Sequence, residues 1–308
     1  MLPEPPDPRV RSVSASRVAG IAPAKLNLFL EVVSRRSDGY HELRTVFHEI
    51  DLADELEIEL RPHDVADSIR CEGIAIDGPA EQNLVLRAAA AFRRHVAHAP
   101  PVHVRLVKRI PPGSGMGGGS SDAAFVLRAL RSLVARSAER EALSTAAREV
   151  GADVGFFLIG GTALGRGRGD ELTPLRIDAP IPFVVALPRF SLSTARVYAH
   201  VDLNAPRAEV SSFVEGMKER SHGGPVTGCF NRLEVAAALV EPRLGPLLHE
   251  LRGSTGADWQ MTGSGSALFA PMRSAAEAEI LARRVTGTLP LDSRVVSSFG
   301  VVPHAAGP

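Results

Sequence analysis

Between residues 21 and 33 the chain alternates: Leu26, Leu28 and Leu30 fall on one side, and Lys25, Asn27 and Phe29 on the other. That is the period of a β-strand. One side of this strand therefore presents a lysine and an asparagine together. In so apolar a run, a lysine is expected to be half buried rather than free in solvent. Ser37-Asp38-Gly39 reads as a turn. Further strands are expected over 46–50, 54–60 and 68–76, a helix over 83–97, and a strand over 102–108. Ala123, Leu127, Leu130 and Val134 recur at helical spacing, which predicts a helix over 122–135. A second helix over 138–150 follows, with Gly151 as its left-handed cap. The run 154–163 reads as a strand ending in the glycine-rich hairpin GRGRGD. The proline-bearing stretch 173–182 reads as a domain boundary. Beyond it come a strand over 183–187, helices, and a glycine turn after Met261. Helices mixed with strands, and no internal repeat, predict an α+β chain of two domains.

The segment KRIPPGSGMGGGSSDAAFVLRAL, residues 108–130, adds chemistry. Gly113, Gly115, Gly117, Gly118 and Gly119 let backbone N–H groups approach an anion closely. The helix that follows turns its unpaired N–H groups and positive dipole end to the same point. Ser120, Ser121 and Asp122 are good helix-start residues. Together these features describe a phosphate cradle. No Gly-Lys-Ser/Thr closes the glycine run, so it is not a Walker loop. No acidic residue stands where a ribose would be read, so it is not a dinucleotide fingerprint either.

Composition narrows the class. Of 308 residues, 44% are hydrophobic and 23% charged, the proportions of an ordinary globular protein. Lys plus Arg equals Asp plus Glu at 35 each. No global field then favours nucleic acid or an anionic membrane, and an anion site must be local. Cys71 and Cys229 lack metal-ligand or CxxC spacing, which fits inert thiols in a reducing cytoplasm. No apolar run reaches the roughly 20 residues of a bilayer span. Residues 1–18 hold four prolines and no apolar signal region, so they are expected to form a disordered leader.

Three segments in order, PAKLNLFLEV, PPGSGMGGGSSDAA and MTGSGSALFA, resemble the GHMP kinase superfamily. RSDGYHELRTVF and GADVGFFLIGGTALGRGRGDEL narrow the resemblance to the branch whose acceptor is a cytidine diphosphate-linked polyol. It covers residues 20–300 apart from a poor match between Tyr198 and Pro225, and Gly155 stands where that branch usually has proline. The resemblance implies a two-domain fold, ribosomal-S5-like over 19–175 and ferredoxin-like over 180–300, with a tail at 301–308. It implies ATP and Mg²⁺, and transfer of the γ-phosphoryl to the 2-hydroxyl of a diphosphocytidyl methylerythritol in non-mevalonate isoprenoid precursor formation. It also implies a cytoplasmic monomer or weak homodimer with no nucleic-acid or membrane partner.

Residue by residue, the resemblance makes Asp153 the base and Lys25 the catalytic lysine. Pro112, Gly113, Ser114, Gly115, Met116, Gly117, Gly118, Gly119, Ser120 and Ser121 become the ATP-phosphate cradle, with Ser120 or Ser121 on Mg²⁺. Asn83 and Lys108 fall at nucleotide positions. Asn27, Tyr40, His41, Tyr198, Gly263, Ser264 and Gly265 fall at substrate positions, the two tyrosines offering stacking faces for a cytosine. By themselves Asp153 would be a turn aspartate and Lys25 a strand lysine. The alternatives are another kinase of the superfamily, for homoserine, mevalonate or a sugar, and an inactive ligand-binding relative. The DGYHEL segment and the tyrosine pair favour a cytidine acceptor. Retention of both Lys25 and Asp153 favours an active enzyme.

Overall fold

The computed structural model describes residues 9–134, 140–177, 179–219, 226–288 and 291–298. Contacts divide the chain into two units, neither of them continuous: Met1–Ala24, Leu52–Pro111 and Gly117–Ile159 form the first, and Lys25–Asp51, Pro112–Met116 and Gly160–Pro308 the second.

In the first unit, β1 (Val10–Ser14) pairs antiparallel with the start of β2 (Arg17–Arg35), Val10 opposite Gly20. The end of β3 (His41–Leu60) pairs antiparallel with β5 (Val102–Lys108), and β5 runs parallel to β4 (Ser68–Gly73). Alternation along β5 buries Val102, Val104 and Leu106, and Lys108 falls in the same phase. Helices α1 (Leu84–His95), α2 (Gly118–Val134) and α3 (Arg140–Val150) pack on one another, and α4 (Val154–Ile159) packs on α2. The α2 helix is buried nearly all round from Ser121 to Leu130, so it is a central element rather than a surface one.

In the second unit, the middle of β3 pairs with β6 (Thr162–Arg166), β6 forms a hairpin with β7 (Glu171–Leu175), and β2 pairs parallel with β9 (Phe230–Asn231). A separate antiparallel sheet has the order β10-β11-β8-β12, built from Gln260–Met261, Leu268–Pro271, Pro182–Leu187 and Asp292–Ser297. Helices α5 (Thr194–Ala199), α6 (Val210–Glu219), α7 (Leu233–Val240), α8 (Leu244–Thr255) and α9 (Ala275–Thr288) complete it. Trp259, Leu268, Val184, Leu233 and Leu251 lie at the centre of its core. Cys71 and Cys229 are free thiols.

Several expectations are corrected. The two strands expected at 46–50 and 54–60 are one strand, β3, because residues 51–53 (Asp-Leu-Ala) contain no breaker. The helix expected from Asp122 starts at Gly118. Left-handed backbone is used at Gly113, Gly115 and Gly117 and stops there. Gly151 is not left-handed: its N–H closes α3 on Ala147 O at 3.1 Å, and its carbonyl accepts from Val154 N at 3.2 Å, so the chain turns directly into the next helix. The run 154–163 is helix α4 followed by β6, because the left-handed pair Gly160 and Gly161 divides it. A short apolar run fits either periodicity. Residues 10–14, expected in a disordered leader, form β1. Residues 1–8, 135–139 and 299–308, on which the rest of the leader, two helix ends and the tail fall, lie outside the described residues.

Candidate active site

In the second unit, Lys25 on β2 is 3% exposed, not half buried. Its Nζ donates to the carbonyl of Gly115 at 2.7 Å and to Asn27 Oδ1. Asn27 Nδ2 donates to Thr45 Oγ1 at 2.7 Å, and that hydroxyl donates to Phe29 O at 2.7 Å. The Asn27 N–H meets Thr262 Oγ1 at 2.9 Å. A two-residue strand period thus turns Lys25 and Asn27 to one side, and every polar atom there is directed by a neighbour.

The loop portion Pro112–Met116 lies backbone to backbone on the turn after Met261. A Cβ on Gly115, whose φ is +78°, would stand 2.2 Å from Thr262 O, and one on Gly263 would stand 2.7 Å from Gly115 O. Ala267 N donates to Ser114 O, and Lys25 N to Met116 O, each at 3.0 Å. The turn is held from below by Asn231, whose Nδ2 donates to Met261 O at 2.6 Å and Gly263 O at 2.8 Å. Ser264 Oγ meets Thr194 Oγ1 at 2.8 Å, at the start of the short helix α5 that carries Tyr198. Gly263, Ser264 and Gly265 therefore shape the turn through their backbone.

Tyr198 packs on His41, ring centroids 5.1 Å apart. Burial, with the Arg35 charge adding, holds the His41 imidazole below its ordinary pKa, so it is neutral at pH 7. Tyr40 is 55% exposed, and the Arg168 guanidinium lies 4.9 Å from its ring centroid. The GRGRGD hairpin is docked on this segment: Glu42 accepts from Gly167 N at 3.1 Å, and Leu43 N donates to Gly167 O at 2.7 Å.

In the first unit, α2 begins the helical end of the cradle. Leu84, at the start of α1, packs at the face of Gly119, and Asn83 caps α1 by accepting from Val85 N at 3.0 Å. Ser120 is half-buried, its Oγ 4.0 Å from the Cβ position of Gly151. Asp153, also half-buried, stands in the turn just ahead of α4, a helix start and not the expected strand start. Gly155, in place of the usual proline, falls in the first turn of α4, where either residue is accommodated.

Among the candidate residues, Lys108 closes β5 in the first unit. Its ammonium is buried and joined to Asp54 and, at 2.7 Å, to Asp122. Asp54 Oδ1 accepts from Arg109 N at 2.6 Å and Ile110 N at 2.9 Å. Burial works against the Lys108 charge, and Asp122 and Asp54 overcome it, leaving its pKa above the ordinary value. Burial pushes the Asp122 carboxyl up to about 8, Lys108 opposing and Asp54 adding to the rise. Asp122 Oδ1 and Ser121 Oγ are buried with no hydrogen-bond partner among the described residues.

Sequence reasoning did not single out Asn231, Thr45, Asp54 or Arg168. For Asp54 a signal existed: it falls in phase with Leu52, Leu56 and Ile58 on the buried face of β3, as Lys108 does on β5. Nothing local marks Asn231, whose partners lie 30 and 32 residues away. Among the described residues, no group of three or more His, Cys, Asp or Glu is arranged to hold a metal ion, and no helix is long and apolar enough to cross a membrane.

Comparison with known proteins identifies the family and the fold. Residues 83–161 match the family described as "GHMP kinases N terminal domain". A 4-diphosphocytidyl-2-C-methyl-D-erythritol kinase of Thiobacillus denitrificans is 41% identical over 273 residues, 87% of this chain and 90% of that protein. Its counterpart in Thermobifida fusca is 37% identical over 296 residues, 92% of this chain and 95% of that one. A crystal structure of a 4-(cytidine 5'-diphospho)-2C-methyl-D-erythritol kinase superposes with a TM-score of 0.73 at 36% identity, covering 91% of this chain and 98% of that chain. The fold is that of the GHMP kinases, α+β as expected.

Proposed function

The chain belongs to the 4-diphosphocytidyl-2-C-methyl-D-erythritol kinase family and is a small-molecule kinase, and we propose that it moves the γ-phosphoryl of ATP to the 2-hydroxyl of that diphosphocytidyl polyol, a step toward isoprenoid precursors. The observation that carries the reading is Lys25, a buried strand lysine whose ammonium is lodged on the Gly115 carbonyl of the glycine loop.

In this reading Asp153 accepts the proton of the 2-hydroxyl as its oxygen bonds to the γ-phosphorus. The bond from that phosphorus to the bridging oxygen breaks, and ADP leaves. Lys25 stabilises charge that builds on the attacking oxygen, and Asn27 fixes where the ammonium points. Gly113 through Ser121, with Pro112 before them, hold the phosphates through backbone N–H groups. Tyr40 and Tyr198 offer faces for the cytosine, and the neutral His41 offers a ring nitrogen without adding charge.

Mg²⁺, when it enters with ATP, shields phosphate charge. The donor set fits an ion held mostly by phosphate oxygens, since protein sites for Mg²⁺ commonly supply one or two ligands. We assign that contact to Ser120, half-buried in the first turn of α2, because Ser121 Oγ is enclosed.

A coupled ADP-release assay with ATP and Mg²⁺ tests the reading against the diphosphocytidyl substrate, homoserine, mevalonate and galactose. Release with the cytidyl compound alone supports it. Release with another acceptor keeps the kinase and removes the cytidine site. Silence with all four, from folded protein that binds ATP, makes the chain a ligand-binding relative.

A further inference from the structure

The glycine loop leaves β5 after Lys108 and re-enters regular structure at Gly118, the first residue of α2. Both ends of this excursion meet in one buried cluster in the first unit. On the entry side, Asp54 Oδ1 accepts from two successive backbone N–H groups, Arg109 at 2.6 Å and Ile110 at 2.9 Å, the last residues before the Pro111-Pro112 pair. Asp54 Oδ2 takes the Lys108 ammonium. On the exit side, the same ammonium is 2.7 Å from Asp122 Oδ2, about one turn into α2. A Cβ on Gly118 would fall 2.9 Å from Lys108 Nζ and 2.9 Å from Ile110 Cγ2, so the helix start rests directly on the ammonium. Asp54 is 0% exposed, Asp122 2% and Lys108 4%.

Buried charges of this kind are an expensive way to gain stability, since apolar side chains of equal volume do as well or better. What a buried chain of charged and hydrogen-bonding groups adds is direction: its partners can satisfy one another in few arrangements. We infer that Asp54, Lys108 and Asp122 are positioning residues for phosphoryl transfer, clamping the entry and exit of the glycine loop so that the first-turn N–H groups of α2 stand ready for the nucleotide phosphates. Lys108 acts on the nucleotide through this clamp and not by touching it. The inference rests on the kinase reading above, because that reading puts the phosphates at the loop.

The test is a set of variants, Asp54→Asn, Lys108→Met, Lys108→Arg and the double variant Asp54→Asn with Lys108→Met, in the full chain. ATP affinity is read by equilibrium titration, kcat and the KM of each substrate by ADP release, and loop order by amide hydrogen exchange over residues 111–121. The clamp requires that Asp54→Asn weaken ATP binding as Lys108→Met does, on the order of ten- to a hundredfold for a displaced loop. It requires faster exchange in the loop, an acceptor KM that stays in place, and a double variant no worse than the worse single one. Lys108→Arg, which keeps the charge but not the ammonium's shape, is expected to restore part of the affinity lost in Lys108→Met. A direct lysine–nucleotide contact would give the opposite pattern, Asp54→Asn neutral and the two losses additive, and would overturn the inference. Should a strong variant fail to fold, Asp122→Ser, whose shorter side chain withdraws the acceptor from Lys108, must show a loss of the same kind. Unchanged ATP affinity there, with unchanged exchange, also overturns it. Wild-type protein that binds no ATP removes the kinase reading and the inference together. Wild type that binds ATP, beside variants that bind it equally well, removes the inference alone.

Discussion

The ammonium of Lys25 donates to the backbone carbonyl of Gly115 at 2.7 Å, joining residues 90 apart in the chain. A buried cation is tolerated when its donors are matched, and here a loop carbonyl and Asn27 Oδ1 do so. The same bond ties the lysine to the glycine loop that the proposed reading gives to the phosphates. Lys25→Met keeps much of the volume and removes the charge. It is expected to lower turnover by about a hundredfold or more, with the protein still folded, as a lost electrostatic contact to a developing oxyanion would. Near-normal ADP release from that variant would show that Lys25 is structural.

Asp153→Asn is expected to reduce kcat by orders of magnitude while leaving ATP affinity nearly as it is, the pattern of a group that acts in the transition state. A loss confined to ATP binding would instead place Asp153 on the nucleotide.

Gly115→Ala meets two obstacles at once, a left-handed backbone and a carbonyl oxygen 2.2 Å from the new Cβ. Destabilisation by about 1–3 kcal/mol is expected from the strain alone. Chemical denaturation would measure it, and an unaltered midpoint would mean that the loop and the Thr262 turn can separate freely.

Acid and base should act on the buried cluster in a defined sense. The Asp122 carboxyl is pushed up to about 8 in the folded chain, so below that pH the folded state holds a proton that the unfolded state, with an ordinary aspartate near 3.9, releases. The stability this contributes is full below about pH 4 and is lost as pH rises through about 8. Urea midpoints at acid and mildly alkaline pH are expected to fall more steeply for wild type than for Asp122→Asn. Equal slopes would mean that Asp122 is ionised throughout.

Tyr198→Ala removes the ring that packs on His41. Affinity for cytidine diphosphate is expected to drop by about 1–3 kcal/mol, the scale of one base–aromatic stack, and isothermal titration would show it. If binding is undiminished, the cytosine lies elsewhere.

Periodicity alone determined much of this protein. The strand of Lys25 and Asn27, the strand before the glycine loop, the core face of the helix after it and the GRGRGD hairpin all follow from local alternation and from glycines that favour left-handed turns. The apolar run 154–163 misled because six residues of helix and a following strand share one hydrophobic composition, and packing on α2 selects between them. Side-chain chemistry divided in the same way. The proposed roles of Lys25, Asp153 and the cradle rest on resemblance through motifs, which are read within one stretch of chain. Partners could not be read so. Lys108 finds Asp54 across a strand register and Asp122 beyond a loop, and Asn231 reaches a turn 30 residues on. The fate of a buried charge depends on which opposite charge the fold brings within reach, and only the tertiary structure makes that choice.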